Sequence, residues 1–217
     1  LATEEIPGIV EQYATAARNA MTAGFDGVEI HNANGYLLDQ FLRSGTNRRT
    51  DDYGGSLANR SRLTLEVAAQ VAQVCGADRV GIRFSPGGAF NDMRDAAPLE
   101  TFRHVLRELN RFHLAYTHVI ASSDDDVRHG SVIVLLSALR QACRGPLIVG
   151  NSYTRTTATQ ALAEHVADAV SFGRLFLANP DLPERLRQNA ALHTPDTATF
   201  YGGGAEGYTD YPTLAAE

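Results

Sequence analysis

The chain has 217 residues, 44% of them hydrophobic, and a formal net charge of -6 from 19 basic and 25 acidic side chains; this excludes disordered, collagen-like and coiled-coil classes. The acidic balance also argues against a general nucleic-acid binder, which needs a clustered cationic face, and leaves a small-molecule substrate as the expectation. No run reaches the roughly 20 apolar residues of a membrane span, and Glu4, Glu5 and Pro7 stand where a signal peptide would carry basic and apolar residues, so no membrane role and a cytoplasmic compartment are expected.

In chain order, an amphipathic helix is predicted over 5–23, with Gly24 reversing the chain into a Val- and Ile-bearing strand at 25–31. A helix over 59–75 and a strand at 79–85 follow, then a helix over 98–112 with Pro98 in its first turn and a strand at 116–121. A helix over 131–143 closes at Gly145 before a strand at 146–151. Thr154 is placed as the N-cap of a helix over 155–164, a strand follows at 167–174, and Asn179 with Pro180 is expected to start a last helix over 181–190. Cys75 and Cys143 lie outside any CxxC pattern and are read as buried thiols rather than a disulfide or metal site. No linker or repeat divides 1–217, and Leu1 in place of an initiator Met makes this an expected portion of something longer.

Strands buried on both faces and joined by helices give either a doubly wound sheet or a (β/α) barrel. No Gly-x-Gly-x-x-Gly follows the first strand, whereas Gly150-Asn151 and Gly173-Arg174 end the last two, where a (β/α)8 barrel commonly keeps its phosphate site. The barrel is the better reading, with five strands where closure needs eight. Inward Val, Ile and Phe side chains of the stretch from Val80 to Phe84 are then expected to need cover.

The segment VEIHNANGY, residues 28–36, carries a buried strand into three hydrogen-bonding side chains. His31 and Asn34 offer N–H donors for one carbonyl or anionic oxygen, and Tyr36 an O–H that stays protonated at neutral pH. Donors beside a proton source suit reduction of an activated double bond. The alternative, on these residues alone, is that His31 and Asn34 satisfy loop backbone while Tyr36 packs its ring.

The longer string AGFDGVEIHNANGYLLDQFL, running into TNRRTDDYGGSLANRSR, resembles the Old Yellow Enzyme family, and so in order do GIRFSPGGAFNDM, PLIVGN, VSFGRLFLANPDL and FYGGGAEGYTDYP. The resemblance implies a (β/α)8 TIM barrel binding FMN at its strand ends, with this chain supplying roughly strands 4 to 8 as the C-terminal part of one domain. His31 and Asn34 would hold the substrate's carbonyl or nitro oxygen and the nicotinamide amide, and Tyr36 would protonate the carbon alpha to that group. Arg83 would face the N1/O2 edge of the flavin, the structural alternative being an ion pair to a loop carboxylate. Gly150, Asn151, Gly173 and Arg174 would hold the FMN phosphate, and Tyr208 would close over the substrate, the alternative being a tail residue that simply covers the barrel.

Asn47, Arg49, Asp51, Tyr53 and residues 59–62 are assigned to structure, as a long polar loop must satisfy its own backbone. The segment HVIASSDDDVRHGS departs from the family in being a short acidic loop without the Glu-Pro often found there, so substrate preference does not transfer. Iron–sulfur relatives are disfavoured, because two isolated cysteines cannot hold a four-cysteine cluster. The implied activity is an NADPH-dependent flavin ene-reductase acting on enones or nitroalkenes. The barrel would be completed by a chain carrying the first three strands or, failing that, by self-association. Rival readings are a catalytically silent half-barrel that serves assembly, and a flavin enzyme with an altered reaction such as dehydrogenation or isomerisation.

Overall fold

Five strands, β1 (Val28–Asn32), β2 (Val80–Phe84), β3 (Tyr116–Ile120), β4 (Leu147–Gly150) and β5 (Ala169–Ser171), form one parallel sheet in the computed structural model, which describes residues 1–202 and 204–216. Their order in space is their order in the chain. A doubly wound sheet reverses that order at a switch point; an unreversed order with right-handed crossovers stacks the connecting helices on one face and leaves the other to line a barrel. The helices are α1 (Ile6–Thr22), α2 (Leu37–Leu42), α3 (Leu57–Cys75), α4 (Pro98–Leu109), α5 (Asp124–Arg128), α6 (Leu136–Arg140), α7 (Arg155–Ala163), α8 (Arg174–Ala178) and α9 (Leu182–Gln188). None among the described residues is long and apolar enough to cross a membrane.

The helix-facing side of the sheet is the core. Val80, Ile82 and Phe84 of β2 and Leu147 and Val149 of β4 are fully buried, packed in one cluster with Leu63, Val67 and Val71 of α3 and Phe102, Val105 and Leu109 of α4. Leu63, Val67 and Val71 recur every four residues, the spacing of a single helix face. Phe84 meets Phe102 edge to face at 5.7 Å between ring centroids.

The expectation that Val80, Ile82 and Phe84 line the interior is therefore corrected. Alternation along β2 sends them outward under the helices and leaves Gly81 and Arg83 for the inner face. The same alternation and register put Glu29 and His31 of β1, Tyr116 and His118 of β3, and Ser171 of β5 on that inner face. Its polar groups are gathered on β1, β2 and β3, with Ile120, Ile148 and Ala169 beside Ser171 toward β5. β1 and β5 each pair on one side only among the described residues, so both edges of the sheet stand open.

Several boundaries differ from expectation for identifiable reasons. The stretch 131–135, rich in β-branched residues that helices disfavour, is not helical; Val132 N–H donates to Gly87 O at 2.9 Å, and only Leu136–Arg140 winds up. Ser123 caps α5 by accepting from Asp126 N–H, a helix hidden in what reads as an acidic loop. Thr154 caps α7 as expected. Asn179 does not cap α9: Asp181 holds the N-cap position, Pro183 falls in the first turn, and the Asn179 amide donates to Leu175 O and His193 O. Cys143 is buried, but Cys75 is only half-buried.

Candidate active site at the strand C-termini

The turn after β1 is braced from three sides. Asn34, in the left-handed region at φ 56, donates its N–H to Ser85 Oγ (2.8 Å), and its carbonyl accepts from Asn91 Nδ2 (2.9 Å). Gly35 follows at φ 72, where a Cβ would stand 2.7 Å from the Asn91 side chain. Its N–H donates to Asp39 Oδ2 at 2.9 Å. Asp39 is buried with Arg43, whose Nε is 2.9 Å from its other oxygen, and Arg43 also bonds Ser85 O and lies over the Phe102 ring. Burial pushes the Asp39 carboxyl up against the pull of Arg43.

While the backbone is fixed, the side chains of the candidate residues are left unengaged. Neither His31, Asn34 nor Tyr36 forms a side-chain hydrogen bond with the described residues, and the Tyr36 ring, 54% exposed, stands 5.2 Å from that of His31. Burial first, and then the Arg83 charge, push the His31 pKa below the ordinary 6.5; Glu29 and Asp39 pull the other way and lose. A neutral imidazole keeps one N–H donor and one acceptor.

Arg83 sits in register between His31 and His118. Its Nε is buried without a hydrogen-bond partner among the described residues. The loop-carboxylate alternative is not what the structure shows: the carboxylate that Arg83 influences is Glu29, on the neighbouring strand, and Glu29 bonds His118 Nδ1 at 3.0 Å and also Tyr116. A buried donor without an acceptor costs about 1–3 kcal/mol.

Gly150, Asn151, Gly173 and Arg174 come together at the ends of the neighbouring strands β4 and β5. Their availability differs. The Asn151 amide is taken, donating to Ala121 O and to Asp126 Oδ2, both at 2.8 Å, with its backbone at φ 81. Around Gly173 the space is open, and Arg174 is exposed with no hydrogen bond to the described residues, though it helps keep Asp126 ionised. Tyr208 is not brought to the β1 turn by any described hydrogen bond or ring contact; its hydroxyl accepts from Tyr201 N–H at 2.9 Å within the C-terminal segment.

The loop residues assigned to structure act as such. Asn47 Nδ2 donates to Phe41 O and Tyr53 O, Arg62 donates to Asp52 O, and Arg49 holds the Asp51 carboxyl well below its usual range. Glu29, Tyr116, His118 and Ser171 were not anticipated; the available signal was polar residues at alternate positions in otherwise apolar strands, VEIHN and YTHVI.

Residues 1–193 match the family described as NADH:flavin oxidoreductase / NADH oxidase. The chain is 45% identical over 218 residues to 12-oxophytodienoate reductase 2 of Arabidopsis thaliana, with 99% of this chain and 58% of that protein covered. The solved structure of morphinone reductase in complex with tetrahydroNAD superposes with a TM-score of 0.90 at 48% identity, over 99% of this chain and 57% of that one. An Old Yellow Enzyme homologue from Zymomonas mobilis gives a TM-score of 0.95 at 40% identity, over 99% of this chain and 61% of that one. The chain thus spans somewhat over half the length of these relatives.

Proposed function

The chain belongs to the NADH:flavin oxidoreductase / NADH oxidase family, that of the Old Yellow Enzymes, and its five strands are part of a (β/α)8 barrel; from that premise we propose that the assembled barrel is an FMN-dependent, NADPH-using reductase of alkenes conjugated to carbonyl or nitro groups. The observation that carries this is the buried, unpartnered Nε of Arg83, one strand away from the unengaged His31. It fits a cofactor with an anionic edge, and the open space at Gly173 beside the free Arg174 fits a phosphate.

In this reading Arg83 would hold the anionic pyrimidine edge of the flavin, and Gly150, Gly173, Arg174 and the backbone of Asn151 would hold the phosphate. FMN, when bound, would supply hydride chemistry between NADPH and the substrate's activated double bond. His31 and Asn34 donate hydrogen bonds to the substrate's carbonyl or nitro oxygen, where negative charge grows as the beta carbon is reduced. The Tyr36 O–H gives its proton to the alpha carbon, completing addition of H⁻ and H⁺ across the double bond. Tyr208 is proposed to cover the substrate from the C-terminal segment. Residues 1–217 form part of one barrel domain, whose open edges at β1 and β5 pair with further strands from the same polypeptide, a complementary chain or a second copy.

The visible spectrum of the purified assembly tests this. A flavin band bleached by NADPH and restored by an enone supports the reading. A protein without flavin overturns it in favour of an assembly role, and a bleached flavin that no enone or nitroalkene restores points to a different reaction.

A further inference from the structure

Three inner-face side chains with no part in the proposed chemistry form a continuous hydrogen-bonded chain across the sheet. His118 on β3 places Nδ1 3.0 Å from Glu29 Oε2 on β1 and Nε2 2.9 Å from Ser171 Oγ on β5. Each contact reaches over an intervening strand, and glycine stands at each crossing. A Cβ on Gly81 of β2 would meet the Tyr116 ring at 2.2 Å, and one on Gly150 of β4 would meet Ser171 Oγ at 2.3 Å and His118 Nε2 at 3.4 Å. A serine, histidine and carboxylate in this order serve acyl transfer on other folds. Here the Ser171 hydroxyl lies against the Gly150 backbone where not even a methyl group fits, which closes that side to a substrate carbonyl.

The consequence falls on Arg83. Glu29 faces it from the neighbouring strand, and a carboxylate and guanidinium so placed tend to close into a bidentate pair. They do not do so: Arg83 forms no ion pair among the described residues and its buried Nε lacks an acceptor, while Glu29 is held by His118 and Tyr116. His31 on β1 carries no negative charge that could substitute.

We propose that His118 is a positioning residue that holds the Glu29 carboxylate toward β3 and so keeps Arg83 unpaired for an anionic ligand at the centre of the barrel; that this ligand is the flavin rests on the function proposed above. The Glu29 carboxylate can only accept, so Nδ1 of His118 donates to it, while the Ser171 hydroxyl, able to donate or accept, lies against Nε2 and also reaches Val149 O at 3.4 Å. The His118 ring thus acts through Glu29 on Arg83 without touching the ligand.

The test uses the FMN-loaded assembly carrying His118→Leu, which removes the grip, and His118→Asn, whose amide can replace the Nδ1 donor. In a crystal structure of the leucine variant the Glu29 carboxylate is expected to pair with Arg83, and the bound flavin to become harder to reduce by roughly tenfold in its equilibrium, about 30 mV for two electrons. The asparagine variant is expected to keep both properties, and adding Glu29→Gln to His118→Leu to restore the potential, because a neutral amide cannot neutralise Arg83. Should the leucine variant fail to assemble, His118→Gln gives the same comparison, keeping a polar group for Ser171 but not the Nδ1 donor. A Glu29 that stays away from Arg83 in the grip-less variants, or a lowered potential that persists in the double variant, overturns the proposal. An Arg83→Gln variant with unaltered potential would instead remove the flavin from Arg83, and the position of Glu29 in the crystal would still decide the role of His118.

Discussion

On the two faces of the same five strands, neighbouring residues do opposite work. On β2, Ile82 and Phe84 are sealed beneath α3 and α4, while Arg83 between them carries a buried donor with nothing to bond. On β3, Val119 is buried in the helix-facing core while His118 is wired to Glu29 and Ser171. The outer face is closed by helices, whereas the inner face carries polar side chains that the described residues leave only partly bonded. A one-residue step along a strand separates stability from chemistry, because successive side chains leave a strand on opposite sides.

The comparison breaks most sharply where a large outer side chain is removed. Phe84→Ala deletes a fully buried ring and its edge contact with Phe102, and is expected to lower unfolding stability by about 3–5 kcal/mol; chemical denaturation of the assembly checks this, and a loss under 1 kcal/mol would mean that the outer face does not bear the core. Tyr36→Phe works on the other side of the division. The side chain is exposed and its hydroxyl bonds no described residue, so stability should hold while the enone-driven half-reaction slows about 100-fold or more and NADPH-driven reduction is nearly unaffected. Stopped-flow traces slowed equally in both halves would contradict the proton-donor role.

The phosphate end offers a smaller effect. Arg174→Ala removes an exposed guanidinium with no other hydrogen bond among the described residues, and FMN affinity measured by fluorescence should fall about tenfold to a hundredfold. Unchanged affinity would move the phosphate elsewhere. The smallest effect is spectroscopic. Folding lowers the His31 pKa by burial and by the Arg83 charge, so its imidazole should titrate by NMR below 6.5, staying neutral at pH 7 and becoming charged only as pH falls. In Arg83→Gln the midpoint should rise, and a midpoint that does not move would deny the coupling of these neighbours across β1 and β2.

Much of this was legible in the sequence, and the limits have physical causes. The strands were found because Val and Ile runs such as those in β2 and β4 are buried on the helix side, and α7 was found because Thr154 is a strong cap. The facing of a strand was not, since periodicity gives two sets of side chains without saying which lies inward. Hence Val80, Ile82 and Phe84 were turned the wrong way. The Glu29–His118 contact joins residues 89 apart in the chain, which no local pattern carries, although each was visible as a polar residue in an apolar strand. Around α5 and α6 the β-branched residues at 131–135 keep the chain out of the helix that Leu136–Arg140 forms, and the capping box of Ser123 and Asp126 lies hidden in a run of acids. At the site, His31, Asn34 and Tyr36 fell on one braced turn, whereas Asn151 spends its amide on Asp126 and Tyr208 bonds within its own segment.

We propose that the inner face of these five strands is part of a flavin site that works only in a closed barrel. FMN binding measured together with molecular mass, first for the five-stranded chain alone and then with the complementary strands added, tests it most directly. Self-association without stoichiometric flavin is expected in the first case, since the two open edges leave unpaired N–H and C=O groups, and one FMN per completed barrel in the second. A compact monomer of the five strands that binds one FMN unaided would contradict it.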